Sequence, residues 1–83
     1  MKHPSPPEID KRLKRAEGHL RTVIAKIENG KPCVELAQQL HAVEAAVAKA
    51  KKELIHDHIE HCLVDGRDTK NALREMKQLA KYL

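Results

Sequence analysis

The stretch Cys33-Val34-Glu35-Leu36-Ala37-Gln38-Gln39-Leu40-His41-Ala42-Val43-Glu44-Ala45-Ala46-Val47-Ala48-Lys49-Ala50-Lys51-Lys52-Glu53-Leu54 decides the fold. Leu36, Leu40, Val43, Val47, Ala50 and Leu54 recur in it at alternating steps of four and three, the spacing of one apolar helical seam. No glycine or proline interrupts the chain between Pro32 and Gly66. The pattern therefore predicts a single helix over about 33–64, roughly 50 Å long.

Working outward, Ser5-Pro6-Pro7-Glu8 reads as a capping box with proline at the first helical position. A helix over about 6–29 follows, with Ile9, Leu13, Ala16, Leu20, Val23 and Ile27 on its seam, and Asn29-Gly30 stops it. Beyond Asp65-Gly66, Asp68 or Thr69 can cap a third helix over about 69–82. Its apolar face is Ala72, Leu73, Met76, Leu79, Ala80 and Leu83. No strand, internal repeat or low-complexity tract is visible. The expectation is an all-α chain, one domain over 1–83, with three helices and a long central one.

Eighty-three residues make a core that is hard to stabilise alone, so help from a second copy or a ligand is expected. The central helix carries a further apolar stripe through Val34, Ala37, Ala45, Ala48, Ile55, Ile59 and Leu63. Helix 1 can cover only one of the two stripes. A second copy of the same helix, running antiparallel with its two-fold axis near residues 46 and 47, suits the other, because Ala42 to Ala48 offers small side chains for close packing. Alanine is also the best helix former, which by itself explains part of that composition.

Cys33, His58 and Cys62 are the candidate metal ligands. His58 and Cys62 lie four residues apart and share a helix face. Cys33 lies 25 residues before His58, roughly 37 Å along one continuous helix. One chain cannot close such a site, whereas the antiparallel pair can, and would form it twice by symmetry. The same separation excludes an intrachain disulfide. Each ligand alone has a plain reading, cysteine as a small buried hydrophobe and histidine as a solvated base. The density of His56-Asp57-His58-Ile59-Glu60-His61-Cys62 favours metal. Two thiolates and an imidazole suit Cu(I), while a fourth nitrogen, from His3 or the terminal amine, suits Ni(II), Co(II) or Zn(II). His61 points about 100° around the helix from Cys62 and is expected to support the ligands rather than bind.

The formal net charge is +4, with most of the excess in the first thirty residues. Lys11, Arg12, Lys14, Arg15 and Arg21 crowd helix 1, and Lys49, Lys51 and Lys52 cluster on helix 2. Solvated faces explain many such runs. In an oligomer the charge multiplies, and phosphate neutralisation drives DNA affinity. With Tyr82 as the one aromatic residue, stacking on single strands is disfavoured and duplex DNA is the expected partner. No run approaches the roughly 20 apolar residues of a membrane span, and Met1 to Pro7 lack a signal-peptide core, so a cytoplasmic protein is expected. No phosphate loop, Ser-His-Asp set or paired carboxylates in a pocket points to an enzyme or a small-molecule substrate.

The spacing Cys33-x24-His58-x3-Cys62, with Arg15-Ala16-Glu17-Gly18-His19-Leu20-Arg21 and the His56 to Cys62 segment, resembles the CsoR/RcnR family of metal-sensing repressors over nearly the whole chain. The resemblance implies an antiparallel dimer that pairs into a disc-like homotetramer. Such a protein binds operator DNA without a helix-turn-helix and releases it when metal binds. The Cys, His, Cys pattern resembles the copper(I) sensors, in which one protomer's cysteine joins the other's histidine and second cysteine. In those sensors a tyrosine before the first cysteine and a glutamate on helix 3 link the site to DNA. Here Pro32 stands at the first position, and Glu75 is the counterpart of the second. Nickel and cobalt sensors add a histidine near the N terminus, for which His3 is the candidate. Formaldehyde sensors use a proline where this chain has Lys2, and persulfide sensors lack the histidine that is His58 here. The alternatives are a Ni(II)- or Co(II)-sensing repressor and, from other classes, a metal carrier or buffer that ignores DNA or a purely structural helical oligomer.

Overall fold

A computed structural model of the chain describes residues 6–63 and 69–83, the side chains of Cys62, Leu63 and Thr69 excepted. Helix α1 spans Pro7–Glu28, α2 spans Cys33–His58, a π-helical turn continues α2 over Ile59–Leu63, and α3 spans Thr69–Ala80. Ser5 and His3 lie outside the described residues, so the expected capping box and N-terminal ligand do too. Pro6 is the N-cap of α1 and Pro7 its first residue, with Glu8 and Asp10 placing negative charge against the positive end of the helix dipole.

The α1–α2 connection is short and closed by backbone bonds. The Gly30 N–H donates to Ile27 O and the Lys31 N–H to Lys26 O, both at 3.1 Å, the paired bonds of a Schellman stop. Gly30 sits at φ 71°, a left-handed conformation that a Cβ disfavours. Pro32 then caps α2 in an extended conformation, and Leu36 N donates back to Pro32 O at 3.1 Å. Helix α2 therefore starts at Cys33, where the proline places it.

Helices α1 and α2 pack antiparallel as a hairpin. Ile9, Ala16 and Val23, seven residues apart, are buried on α1, as are Val43 and Ala50, also seven apart, on α2; Ile55, buried too, lies about 140° around α2 from Ala50, on the second apolar stripe. The companion positions of the same heptads stay open. Leu13, Leu20 and Ile27 on α1 and Leu40, Val47 and Leu54 on α2 are each between 39% and 51% exposed. Helix α3 packs on the π-helical turn, leaving Leu73, Met76 and Tyr82 exposed. The accessible surface, 6733 Å², exceeds the about 5,000 Å² of a compact monomer of this mass. The radius of gyration, 17.0 Å, likewise exceeds the about 12 Å of a compact chain of this length. A hairpin with half its heptad seam in water has not finished burying its apolar surface. Among the described residues no helix is long and apolar enough to cross a membrane.

The two glycines described in this region separate backbone strain from packing. Gly30→Ala should cost about 1 kcal/mol in thermal or urea unfolding, because alanine resists the left-handed conformation. Gly18 lies inside α1, and a Cβ there meets nothing within 4 Å. Gly18→Ala should therefore stabilise by roughly 0.5–1 kcal/mol through helix propensity. A loss at Gly18 would show that a neighbouring copy presses on that face.

Candidate metal centre

Regular α2 geometry places Cys33 and His58 at opposite ends of one 26-residue helix. Cys33 is the first residue of α2, and its thiol is exposed and outside any disulfide. His58 is the last α-helical residue and is 9% exposed. A rise of about 1.5 Å per residue keeps the two roughly 37 Å apart. Among the described residues no group of three or more His, Cys, Asp or Glu side chains converges to hold a metal ion. The Cys62 side chain is outside that description.

The helix changes character at the segment rich in histidine and acidic residues that ends at Cys62. Continuous α-helix was the expectation to residue 64, whereas the chain from Ile59 to Leu63 closes its hydrogen bonds one residue further on, as a π-helix. Three residues per turn accompany i+3 bonding and 3.6 accompany i+4, so i+5 bonding implies slightly over four. Backbone positions 58 and 62 thus remain one above the other, closer to eclipsed than in an α-helix. Sequence pattern alone misses this because no proline or glycine marks the widened turn.

His58 is held from α3. Its Nε2 lies 2.8 Å from Glu75 Oε1, which bridges the end of α2 to α3. A carboxylate beside Nε2 occupies that nitrogen and orients the ring, so metal ligation at His58 would fall to Nδ1. His61 is exposed and has Nε2 3.4 Å from Asp57 Oδ1. His56 faces a shallow cleft with Pro6, Glu8, Ile9, Glu53, Asp57 and Glu60. The donor chemistry fits a soft metal ion: an accessible thiol, a buried imidazole backed by a carboxylate, and a second cysteine one turn on.

The basic residues divide by their partners. Arg12 Nη2 lies 3.2 Å from Glu53 Oε1 across the helix pair. Lys14 lies 3.0 Å from Asp10 and Arg21 4.0 Å from Glu17, both exposed pairs one turn apart. Lys11, Arg15, Lys49, Lys51 and Lys52 are exposed. Two further cross-helix contacts had no sequence signal: His19 Nε2 to Gln39 Oε1 at 2.6 Å and Lys26 Nζ to Glu35 Oε1 at 3.4 Å. Each joins ordinary polar residues about one turn from a heptad position, and only the packed hairpin makes them neighbours.

Comparison with known proteins agrees with this architecture. Residues 6–83 match the family of metal-sensitive transcriptional repressors. The chain is 35% identical over 77 residues to the copper-sensing transcriptional repressor CsoR of Bacillus subtilis (strain 168), covering 89% of this chain and 76% of that protein. It is 35% identical over 75 residues to the copper-sensing repressor CsoR of Mycobacterium ulcerans (strain Agy99), covering 86% of this chain and 63% of that one. The solved structure of the nickel-responsive transcriptional regulator InrS superposes with a TM-score of 0.80 at 26% identity, covering 100% of this chain and 98% of that chain. The family consists of repressors rather than enzymes. By the match over nearly its full length and the shared three-helix fold, the chain belongs to the metal-sensitive transcriptional repressor family.

Proposed function

We propose that the chain binds operator DNA when metal-free and releases it when Cu(I) binds at a site formed by Cys33 of one protomer with His58 and Cys62 of its antiparallel partner. The observation that carries this reading is the placement of an exposed thiol and a buried, carboxylate-backed imidazole at opposite ends of α2. An antiparallel pair brings the opposite ends together. It also covers the open heptad positions Leu40, Val47 and Leu54, which lie seven residues or a multiple of seven from Cys33 and so on its face of α2, rather than the stripe from Val34 to Leu63 that the sequence pattern offered. Pairing of such dimers into a tetramer is part of the same proposal.

Cu(I), when bound, supplies a bond network that joins two thiolates and an imidazole from two chains. The protein's own residues do the rest. Glu75 holds His58 and so ties α3 to the site. Arg15, Lys11 and the Lys49 to Lys52 cluster neutralise phosphates, while the exposed Asp10 and Glu17 pairs release Lys14 and Arg21 at little cost, since such pairs contribute about 0–1 kcal/mol. Arg12, half-covered and paired across the hairpin, serves the fold more than the DNA. Metal that favours the DNA-free arrangement must be bound less tightly by the DNA complex, by the same factor. The fold shared with a nickel-responsive regulator supports Ni(II) as the second reading, with His3 adding a nitrogen ligand. The copper-sensing relatives and the sulfur-rich donor set favour Cu(I).

Anaerobic titration followed by absorption separates the two metals, because thiolate-bound Ni(II) is coloured and Cu(I) is not. Cu(I) binding tightly without colour, and displacing Ni(II), is the expected result. Cys33→Ala should bind operator like the wild type yet stay bound when Cu(I) is added. Release at the same metal concentration would remove Cys33 from the site. Glu75→Gln should lower metal affinity by about 10–100-fold, the usual effect of losing a carboxylate behind a ligating histidine. Arg15→Ala should weaken operator binding and reduce the slope of log affinity against log salt by about one, whereas an unchanged slope would take Arg15 out of the interface.

A further inference from the structure

Polar contacts tie α1 to α2 along the hairpin, and those between described residues are not equivalent. Arg12–Glu53 lies toward the His58 end of α2, at 3.2 Å, and Lys26–Glu35 lies beside Cys33, at 3.4 Å. All four side chains are about a third or more exposed, so salt screens both pairs. Between them His19 Nε2 and Gln39 Oε1 meet at 2.6 Å, half-buried, across 20 residues of sequence. An amide oxygen only accepts, so the His19 N–H donates. This bond is short, directional and made to a neutral acceptor.

The short Schellman turn sets register at one end of the hairpin, and further along, the seam adds little direction of its own. It is built from Ala16, Val23, Val43 and Ala50, small apolar side chains whose attraction is non-directional and tolerates sliding. A hydrogen bond weakens steeply once its angle or length departs from a narrow range. His19 stands one turn after Arg15 and two residues before Arg21, both exposed on α1. Gln39 stands six residues after Cys33 on α2. The contact thus links the helix that presents the thiol to the helix that presents the cations.

We infer that His19 and Gln39 are positioning residues: their hydrogen bond locks the basic face of α1 to the Cys33 end of α2, so that a shift of α2 on metal binding carries Arg15 and Arg21 with it. The inference rests on the proposed repressor function and assigns the transmission step within one protomer to a named pair. Neither residue touches metal or DNA in this account.

The test compares Gln39→Met, which keeps length and removes the amide acceptor, with Gln39→Glu, which keeps an oxygen there. Operator affinity is measured by fluorescence anisotropy with and without saturating Cu(I), anaerobically. Cu(I) affinity of the DNA-free protein is measured by chelator competition. In Gln39→Met the ratio of the two operator affinities should shrink about tenfold while Cu(I) affinity stays within about threefold of wild type. Gln39→Glu should retain the wild-type ratio. His19→Leu and His19→Gln repeat the comparison from the other side and stand in if Gln39→Met loses helix content. An unchanged ratio in the Met and Leu variants would overturn the inference, as would parallel losses of metal affinity, DNA affinity and melting temperature, the signature of a structural role alone. A wild type that Cu(I) does not release from the operator would overturn the proposed function itself, a result visible before any variant is made.

Discussion

The length of α2 is the constraint on which the rest depends. A 26-residue helix is a rod, and its hydrogen-bond ladder forbids the bend that would bring Cys33 to His58. Everything chemically useful at its two ends must therefore be completed by something else. The same rod exposes Leu40, Val47 and Leu54 on one side, so the apolar surface and the proposed ligands Cys33 and His58 call for one and the same neighbour. The accessible surface and radius of gyration express this need at the level of the whole chain.

Within the protomer, rigidity and adaptability are divided. The hairpin of α1 and α2 is fastened by a heptad seam, a Schellman turn and cross-helix polar contacts. Helix α3 is fastened differently, through the π-helical turn and the His58–Glu75 contact. A π-helical turn at the end of a long helix is a local departure from the most favourable ladder, and such departures gather at functional positions. Here it coincides with the segment that carries His61 and Cys62. The arrangement lets a change at His58 reach α3 through Glu75 and reach α1 through the hairpin.

Much of this was legible in the chain. Alternating steps of four and three located α1 and α2, and Pro6-Pro7, Asn29-Gly30 and Pro32 placed their ends to within a residue or two. Gly30 stops α1 because of its left-handed conformation. The i, i+4 spacing of His58 and Cys62 singles out the candidate ligand segment, and the family resemblance makes Glu75 the counterpart of a helix 3 glutamate that links the site to DNA; the structure sets it 2.8 Å from His58. Less was legible where partners are distant in sequence. The π-helical turn has no residue signature, and Arg12 reads as one more cation in a basic run until Glu53 is seen across the seam. The His19–Gln39 bond joins two residues that periodicity treats as ordinary surface positions. His3 lies outside the described residues, and its part in metal choice stays a proposal.

In the proposed repressor each metal site takes Cys33 from one chain and His58 from another. Complementation measures this directly. Cys33→Ala and His58→Ala proteins are each denatured, mixed in equal amounts, refolded together under anaerobic conditions and titrated with Cu(I). Neither variant alone should bind at the full site. In the mixture, half of the dimers pair unlike chains, and each of those rebuilds one of its two sites, so roughly a quarter of the wild-type capacity should return. Recovery of no high-affinity binding in a mixture verified to contain mixed dimers would contradict the shared site.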